Sequence, residues 1–347
     1  MTKMLANPFR GAGLPGADLF PNTDAEAVAA LLALCPAHAE TPLIAAPELA
    51  ARAGIAALWL KDERGRMGLG SFKALGAAYA IAHDAAEGAG PWETRLTGQT
   101  YATASAGNHG MSVAAGARMF GARAVVYLAE TVPEAFAERL RAMGAEVVRA
   151  GDDYEASMEA AKRDAEANGW ALLSDSSWPG YWQPAYRVME GYLQMAAEAA
   201  RQVPEAPTHI LLQAGVGGLA AAVATHARQV WGDGPVIVVV EPEAAPALIE
   251  SIRAGALIDT AGPVSNMGRL DCKTPSMVAL NGLARDADQF VTITEDEAEA
   301  GTEVLGAAGY ATTPSGGAGV AALLAGVDGI GPDARVLCFL SEGPEDG

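Results

Sequence analysis

The chain has 347 residues, half of them hydrophobic, which is enough for a large buried core and leaves room for two domains. Its 23 Lys and Arg stand against 42 Asp and Glu, a net charge of −19, and this excludes nucleic acid and anionic membrane as partners, because both need a basic surface. Cys35, Cys272 and Cys338 form no CxxC pair and the five histidines lack metal-ligand spacing, so no metal site is expected and a reduced, cytoplasmic setting fits.

The first 24 residues, with Pro8, Pro15 and Pro21, read as irregular, and residues 1–8 lack the continuous apolar run of a signal peptide. Helices are expected over 24–34 and 47–53, and a buried strand over 55–60. That strand runs into the charged turn Lys61-Asp62-Glu63 and then Gly68-Leu69-Gly70-Ser71-Phe72-Lys73. Ser71 is placed to cap an alanine-rich helix to about residue 87, with Lys73 in its first turn, where the helix dipole disfavours a positive charge.

Further on, a strand over 101–104 leads into Ser105-Ala106-Gly107-Asn108-His109-Gly110 and a helix over 111–120. Strands over 122–128, 146–149 and 170–173 alternate with helices over 132–143 and 154–168. The region 180–200 is helical, and a strand over 209–213 feeds Gly215-Val216-Gly217-Gly218-Leu219 and another helix. Strands follow at 236–240, 290–293 and 335–340, helices at 295–308 and 316–325, and a turn-rich stretch covers 254–285. Alternation of apolar strands with helices predicts an α/β fold of parallel sheets covered on both faces.

Three of these turns could carry chemistry. The Gly215–Leu219 turn offers inward N–H groups and a helix N-terminus, suited to an anion held without a basic side chain, although a ligand-free tight turn reads equally well. The Ser105–Gly110 turn offers a hydroxyl, an amide and backbone donors. Ser341 sits just past the last strand. With Lys73, all four follow a strand, and the carboxyl edge of open α/β sheets is where ligands bind.

Lys61-Asp62-Glu63 through Phe72-Lys73, Trp178 with Gly180-Tyr181, Pro207-Thr208-His209 through Gly217, and Val240-Glu241-Pro242 together resemble the tryptophan-synthase-β-like, fold-type II family of pyridoxal phosphate enzymes. The resemblance runs from Thr41 to Gly343 and is nearest to the 2,3-diaminopropionate ammonia-lyase branch. It implies two open, mostly parallel twisted sheets, a large cofactor-binding domain of residues 1–93 and 171–347, a small domain of residues 94–170 carrying the asparagine loop, and a homodimer. It implies pyridoxal 5'-phosphate linked to Lys73 beside Phe72, with its phosphate on Gly215, Val216, Gly217, Gly218 and Leu219, its ring hydroxyl on Asn108 and its ring nitrogen facing Ser341. The substrate carboxylate would lie on Ser105, Ala106, Gly107 and His109.

The resemblance further implies an ammonia-lyase acting on an L-amino acid with a β-amino or β-hydroxy leaving group, 2,3-diaminopropionate first. Serine, threonine or 3-hydroxyaspartate dehydratase is the alternative; a β-replacement enzyme or a non-catalytic cofactor-binding protein is more distant. Lysine reacts with a carbonyl as the free amine, so the helix N-terminus and desolvation are expected to lower the Lys73 pKa. The branch's base for D-isomers is replaced by Ala106, and its base for L-isomers corresponds to Asp175, which reads equally well as a turn cap. Arg269, Asp271 and Lys273 interrupt a run that is apolar in that branch, forming either a surface loop or contacts to a second amino or carboxylate group of the substrate.

Overall fold

The computed structural model describes residues 3–344 and contains eleven strands among them. In chain order these are β1 (Lys3–Ala6), β2 (Leu43–Ala45), β3 (Ala57–Asp62), β4 (Thr100–Ala104), β5 (Arg123–Leu128), β6 (Glu146–Arg149), β7 (Ala171–Leu172), β8 (His209–Gln213), β9 (Val236–Pro242), β10 (Gln289–Ile293) and β11 (Arg335–Leu340). One sheet has seven strands in the order β1-β10-β9-β8-β11-β3-β2; the other has four, β6-β5-β4-β7. All pairings are parallel except those of the two edge strands, β1 with β10 and β2 with β3.

The central strands are apolar along their whole length because helices cover both faces. Ile210, Leu211, Leu212, Val238, Val239, Val336, Phe339 and Leu340 are fully buried. The Ala318–Ala325 helix is apolar all round and buried, whereas surface helices such as Tyr154–Asn168 keep one polar face. Small residues set a close helix contact: a Cβ on Gly76 would lie 2.7 Å from Tyr192 and Val188, and one on Gly191 would lie 2.4 Å from the Leu75 carbonyl. No helix among the described residues is long and apolar enough to cross a membrane.

Several expectations shift. The N-terminal stretch is not wholly irregular, because Lys3–Ala6 adds an antiparallel edge to β10, and Leu43–Ala45 does the same beside β3. Both are short and partly exposed, so no apolar run marks them. The turn-rich region contains the Met277–Asp286 helix, and the 180–200 helix is two helices, Gln183–Gly191 and Leu193–Gln202. The helix after the asparagine loop starts at Asn108, which puts Asn108 and His109 in its first turn.

Behind the turn that leads to Lys73 lies a buried ionic cluster. Glu198, from the Leu193–Gln202 helix, contacts Lys61 at 2.7 Å and Arg66 at 2.6 Å, and Arg66 also binds Glu63 at 2.7 Å, with all four side chains fully buried. Thr41 joins through its hydroxyl to Glu63 and its carbonyl to Lys61. These bonds fix the Glu63–Gly70 turn, where Met67 has φ +51°.

Candidate active site

Strand order explains why distant residues meet. β8, β11 and β3 are neighbours and parallel, so the Gly215–Leu219 turn, Ser341 and the Lys73 turn leave the same edge of one sheet. β4 and β7 are neighbours and parallel in the other sheet, so the Ser105–Gly110 turn and Asp175 leave its edge together. Backbone bonds join the turns of the large sheet: Phe72 N–H donates to the Ser341 carbonyl (3.0 Å) and Gly343 N–H to Gly70 (2.9 Å).

The Lys73–Ala86 helix begins at the lysine, and Ser71 Oγ accepts from its N–H at 3.3 Å. Lys73 Nζ donates to Asp175 Oδ2 at 2.5 Å. Asp175 is therefore the lysine's partner and not simply a turn cap. Burial alone would lower the Lys73 pKa, but the Asp175 charge and hydrogen bond act against it, with smaller help from Cys272 and Glu342, and the pKa is raised. This corrects the expected lowering: a carboxylate in contact outweighs the helix terminus and desolvation. Burial pushes Asp175 the other way, yet the adjacent Lys73 charge holds it well below the usual carboxylate range.

The remaining predicted residues fall into three groups. Phe72 lies against Tyr192, ring centroids 4.8 Å apart, and Tyr192 also faces Gly218. Asn108 Nδ2 donates to Glu342 Oε2 at 2.5 Å, across from Ser341. Ser105, Ala106 and Gly107 form the turn before it, and the Arg269 guanidinium lies beside Gly107, where an added Cβ would come within 3.3 Å of Nη1. The His109 ring is directed elsewhere, to the Leu173 carbonyl (2.9 Å), and burial holds its pKa below the ordinary imidazole value, with Asp175 opposing and Lys73 adding to the effect.

Asp271 and Lys273 bond to each other and to their own loop, and Asp271 reaches the site only through its charge on Cys272. Lys273 Nζ donates to Asp271 Oδ1 (2.5 Å), Ala244 O (2.8 Å) and Pro263 O (2.9 Å), and Asp271 accepts from Ser265 N–H (3.2 Å). Lys273 thus satisfies two loop carbonyls and Asp271 a loop N–H that no helix or sheet partners. Arg269 alone of the three reaches the asparagine loop.

Sequence reasoning missed three neighbours. The Cys272 thiol lies 3.0 Å from where a Cβ on Gly215 would stand, and burial pushes its pKa up to about 12 against the pull of Lys73. Tyr154, at the start of its helix, is half exposed as a residue, while its hydroxyl pKa is raised, first by desolvation of that end and then by the Asp175 and Cys272 charges. Glu342 is buried at the centre of the site. A carboxylate after a strand is ordinarily a solvated cap, so nothing in the local pattern marks Glu342.

The chain suits a phosphate-bearing, carbonyl-reactive cofactor. Gly217 has φ +99°, a conformation that favours glycine, and its added Cβ would come within 3.3 Å of Ala279, Leu248 and Leu283. Val216, Gly217 and Gly218 thus turn their backbone onto the N-terminus of the Gly218–Trp231 helix, an anion cradle. Lys73 starts its helix from the same edge of this sheet.

The pyridoxal-phosphate dependent enzyme family matches residues 34–342, and the chain belongs to it. Its cofactor is pyridoxal 5'-phosphate. Among its relatives, the diaminopropionate ammonia-lyase of Escherichia coli (strain K12) is 32% identical over 281 residues, covering 77% of this chain and 71% of that protein. The human L-serine dehydratase/L-threonine deaminase is 30% identical over 270 residues, covering 77% and 76%. The crystal structure of the Escherichia coli diaminopropionate ammonia-lyase with an aminoacrylate–PLP azomethine reaction intermediate superposes with a TM-score of 0.86 at 28% identity, covering 99% of this chain and 94% of that one.

Proposed function

We propose that this protein is an ammonia-lyase that removes a β-amino or β-hydroxy group from a small L-amino acid, with 2,3-diaminopropionate as its first substrate. With water, that substrate gives pyruvate and two molecules of ammonia. The observation that carries the reading is the 2.5 Å contact between Lys73 Nζ and Asp175 Oδ2, where turns from two sheets meet. The likeness to two diaminopropionate ammonia-lyases, of Escherichia coli and Salmonella typhimurium, supports the substrate class.

Bound at Lys73, the cofactor supplies the electron sink that lets an α-proton and a β-substituent leave. Lys73 holds the cofactor until substrate arrives, and its Nζ then takes the α-proton. Asp175 keeps the resulting ammonium paired and oriented. The proton on that pair is then available to the departing amine or hydroxyl, which must leave neutral. Backbone N–H groups of the Ser105–His109 turn receive the substrate carboxylate, aided by the start of the Asn108–Met119 helix. Ala106 offers no proton-transfer group on that side, so D-isomers are expected to react poorly.

The likeness to the human serine dehydratase keeps β-hydroxy amino acids as the second reading. Purified enzyme given L- and D-2,3-diaminopropionate, L-serine, L-threonine and the 3-hydroxyaspartates, with 2-oxo acid and ammonia measured, decides between them. Turnover of a hydroxy acid with diaminopropionate inert overturns the first reading. The proposal includes a cytoplasmic homodimer and a division into residues 1–93 with 171–347 and residues 94–170. A monomer by light scattering would remove the first of these.

A further inference from the structure

Glu342 has no task in the reaction above, although it sits between residues that do. It follows Ser341 past the end of β11 and is 5% exposed, so its carboxylate must find partners inside the protein. They come from different segments. Oε1 accepts from Thr313 Oγ1 at 2.5 Å, and Oε2 accepts from Asn108 Nδ2 at 2.5 Å and lies 3.4 Å from Arg269 Nε. The backbone is held as well: Thr312 Oγ1 donates to the Glu342 carbonyl at 2.6 Å, and Ser71 and Glu342 form an antiparallel bridge. Gly316 packs behind the side chain, close enough that a Cβ there would lie 2.9 Å from Glu342 Cγ.

The choice of partner for Asn108 matters. The two ends of an asparagine amide have nearly the same shape but opposite hydrogen-bonding character, so the neighbours decide which end faces a ligand. An ionised carboxylate only accepts, and its hydrogen bonds are stronger than neutral ones. Glu342 therefore turns the NH2 end of Asn108 toward itself, which sets the directions of the second N–H and the carbonyl oxygen. The contact also spans the two sheets, since Asn108 follows β4 and Glu342 follows β11.

We propose that Glu342 is the positioning residue of Asn108: it sets which end of the amide meets the cofactor's ring hydroxyl, with Thr313 and Arg269 holding its carboxylate in place. The proposal rests on Asn108 facing the cofactor and is independent of which amino acid is the substrate.

The test compares wild type, Glu342→Gln, Asn108→Ala and the double variant. Three quantities are read: the visible absorbance of bound pyridoxal phosphate, its Kd in titrations of apoprotein, and the melting temperature of apoprotein. Glu342→Gln is expected to shift the visible band and to weaken cofactor binding about tenfold, a size typical of losing one hydrogen bond to a charged group. Both changes should be nearly absent when Glu342→Gln is added to Asn108→Ala, because the partner is already gone. Equal changes in the two backgrounds overturn the proposal, as does a fall in melting temperature with band and Kd unchanged. Should Glu342→Gln not fold, Glu342→Asp keeps the charge while drawing it back from Asn108. The same dependence on Asn108 then supports the proposal, and its absence overturns it. An inert diaminopropionate in the substrate panel alters none of these readouts.

Discussion

Two lysine–carboxylate contacts, one from each side of the Glu63–Gly70 turn in sequence, behave oppositely. Lys61 Nζ meets Glu198 (2.7 Å), the Thr41 carbonyl (2.6 Å) and Gln202 (3.0 Å), which matches the three donors of an ammonium. Glu198 is equally engaged, accepting from Arg66, Gln194 and Thr41 as well. Lys73 and Asp175 meet at 2.5 Å with 21% and 16% of their side chains exposed, whereas Lys61 and Glu198 are fully buried. Burial lowers the Lys61 pKa in spite of Glu198, with Arg66 adding repulsion, while at Lys73 the carboxylate wins and the pKa is raised. A cluster whose charged groups are matched to one another holds a turn in place and has no charge to offer a ligand. A pair that keeps part of its surface exposed can exchange a proton and accept a reactant.

The largest effect expected on this contrast is that of Lys73→Ala. It should reduce turnover by about ten-thousand-fold and abolish the lysine-linked cofactor absorbance, while the melting temperature of the apoprotein changes little. Unchanged turnover would remove Lys73 from the chemistry.

Glu198→Ala should do the reverse. It strands Lys61 and Arg66 and costs about 3–5 kcal/mol of stability in denaturant titrations, with activity per folded molecule retained. The same carboxylate shapes acid stability. Burial pushes its pKa up, but bonds and charges from Arg66 and Lys61 bring it from the ordinary 4.5 to about 2. Its folded pKa lies below the unfolded one, so its contribution is complete above about pH 4.5 and is lost as pH falls toward 2. Glu198→Gln should flatten that part of the melting-temperature profile.

A smaller effect is expected from Asp175→Asn. Turnover of L-substrate should fall about a hundredfold with cofactor still bound and the melting temperature nearly unchanged. Normal turnover would leave Lys73 acting alone. The smallest change is a control: Arg123 and Glu146 form an exposed pair at 2.9 Å, and Arg123→Ala should alter stability by less than about 1 kcal/mol in the same titrations.

Much of the architecture was legible because most strands carry an apolar stretch between turn-forming segments. His209–Gln213, Glu146–Arg149 and Arg335–Leu340 fall where the hydrophobic pattern places them. The edge strands Lys3–Ala6 and Leu43–Ala45 were not legible, because an edge strand of three or four partly exposed residues is defined by its neighbour and not by its own pattern. Asp175 illustrates the same limit at the site. As a residue before Ser-Ser it reads equally as a cap, and only the adjacency of β4 and β7 brings it to Lys73.

Sequence by itself determined the fold class, through the alternation of apolar strands and helices, and the cofactor family, through a resemblance that spans the chain; Lys73 and the glycine turn came with that resemblance, because an amine at a helix start or a tight glycine turn taken alone reads as ordinary local structure. Tertiary structure decided which charges reach the site. Asp271 and Lys273 satisfy each other and their own loop, Arg269 and Glu342 close on the asparagine turn, and Asp175 reverses the expected pKa shift of Lys73. A charge acts through distance and burial, and both are set by strand order, which places residues from opposite ends of the chain within hydrogen-bonding reach.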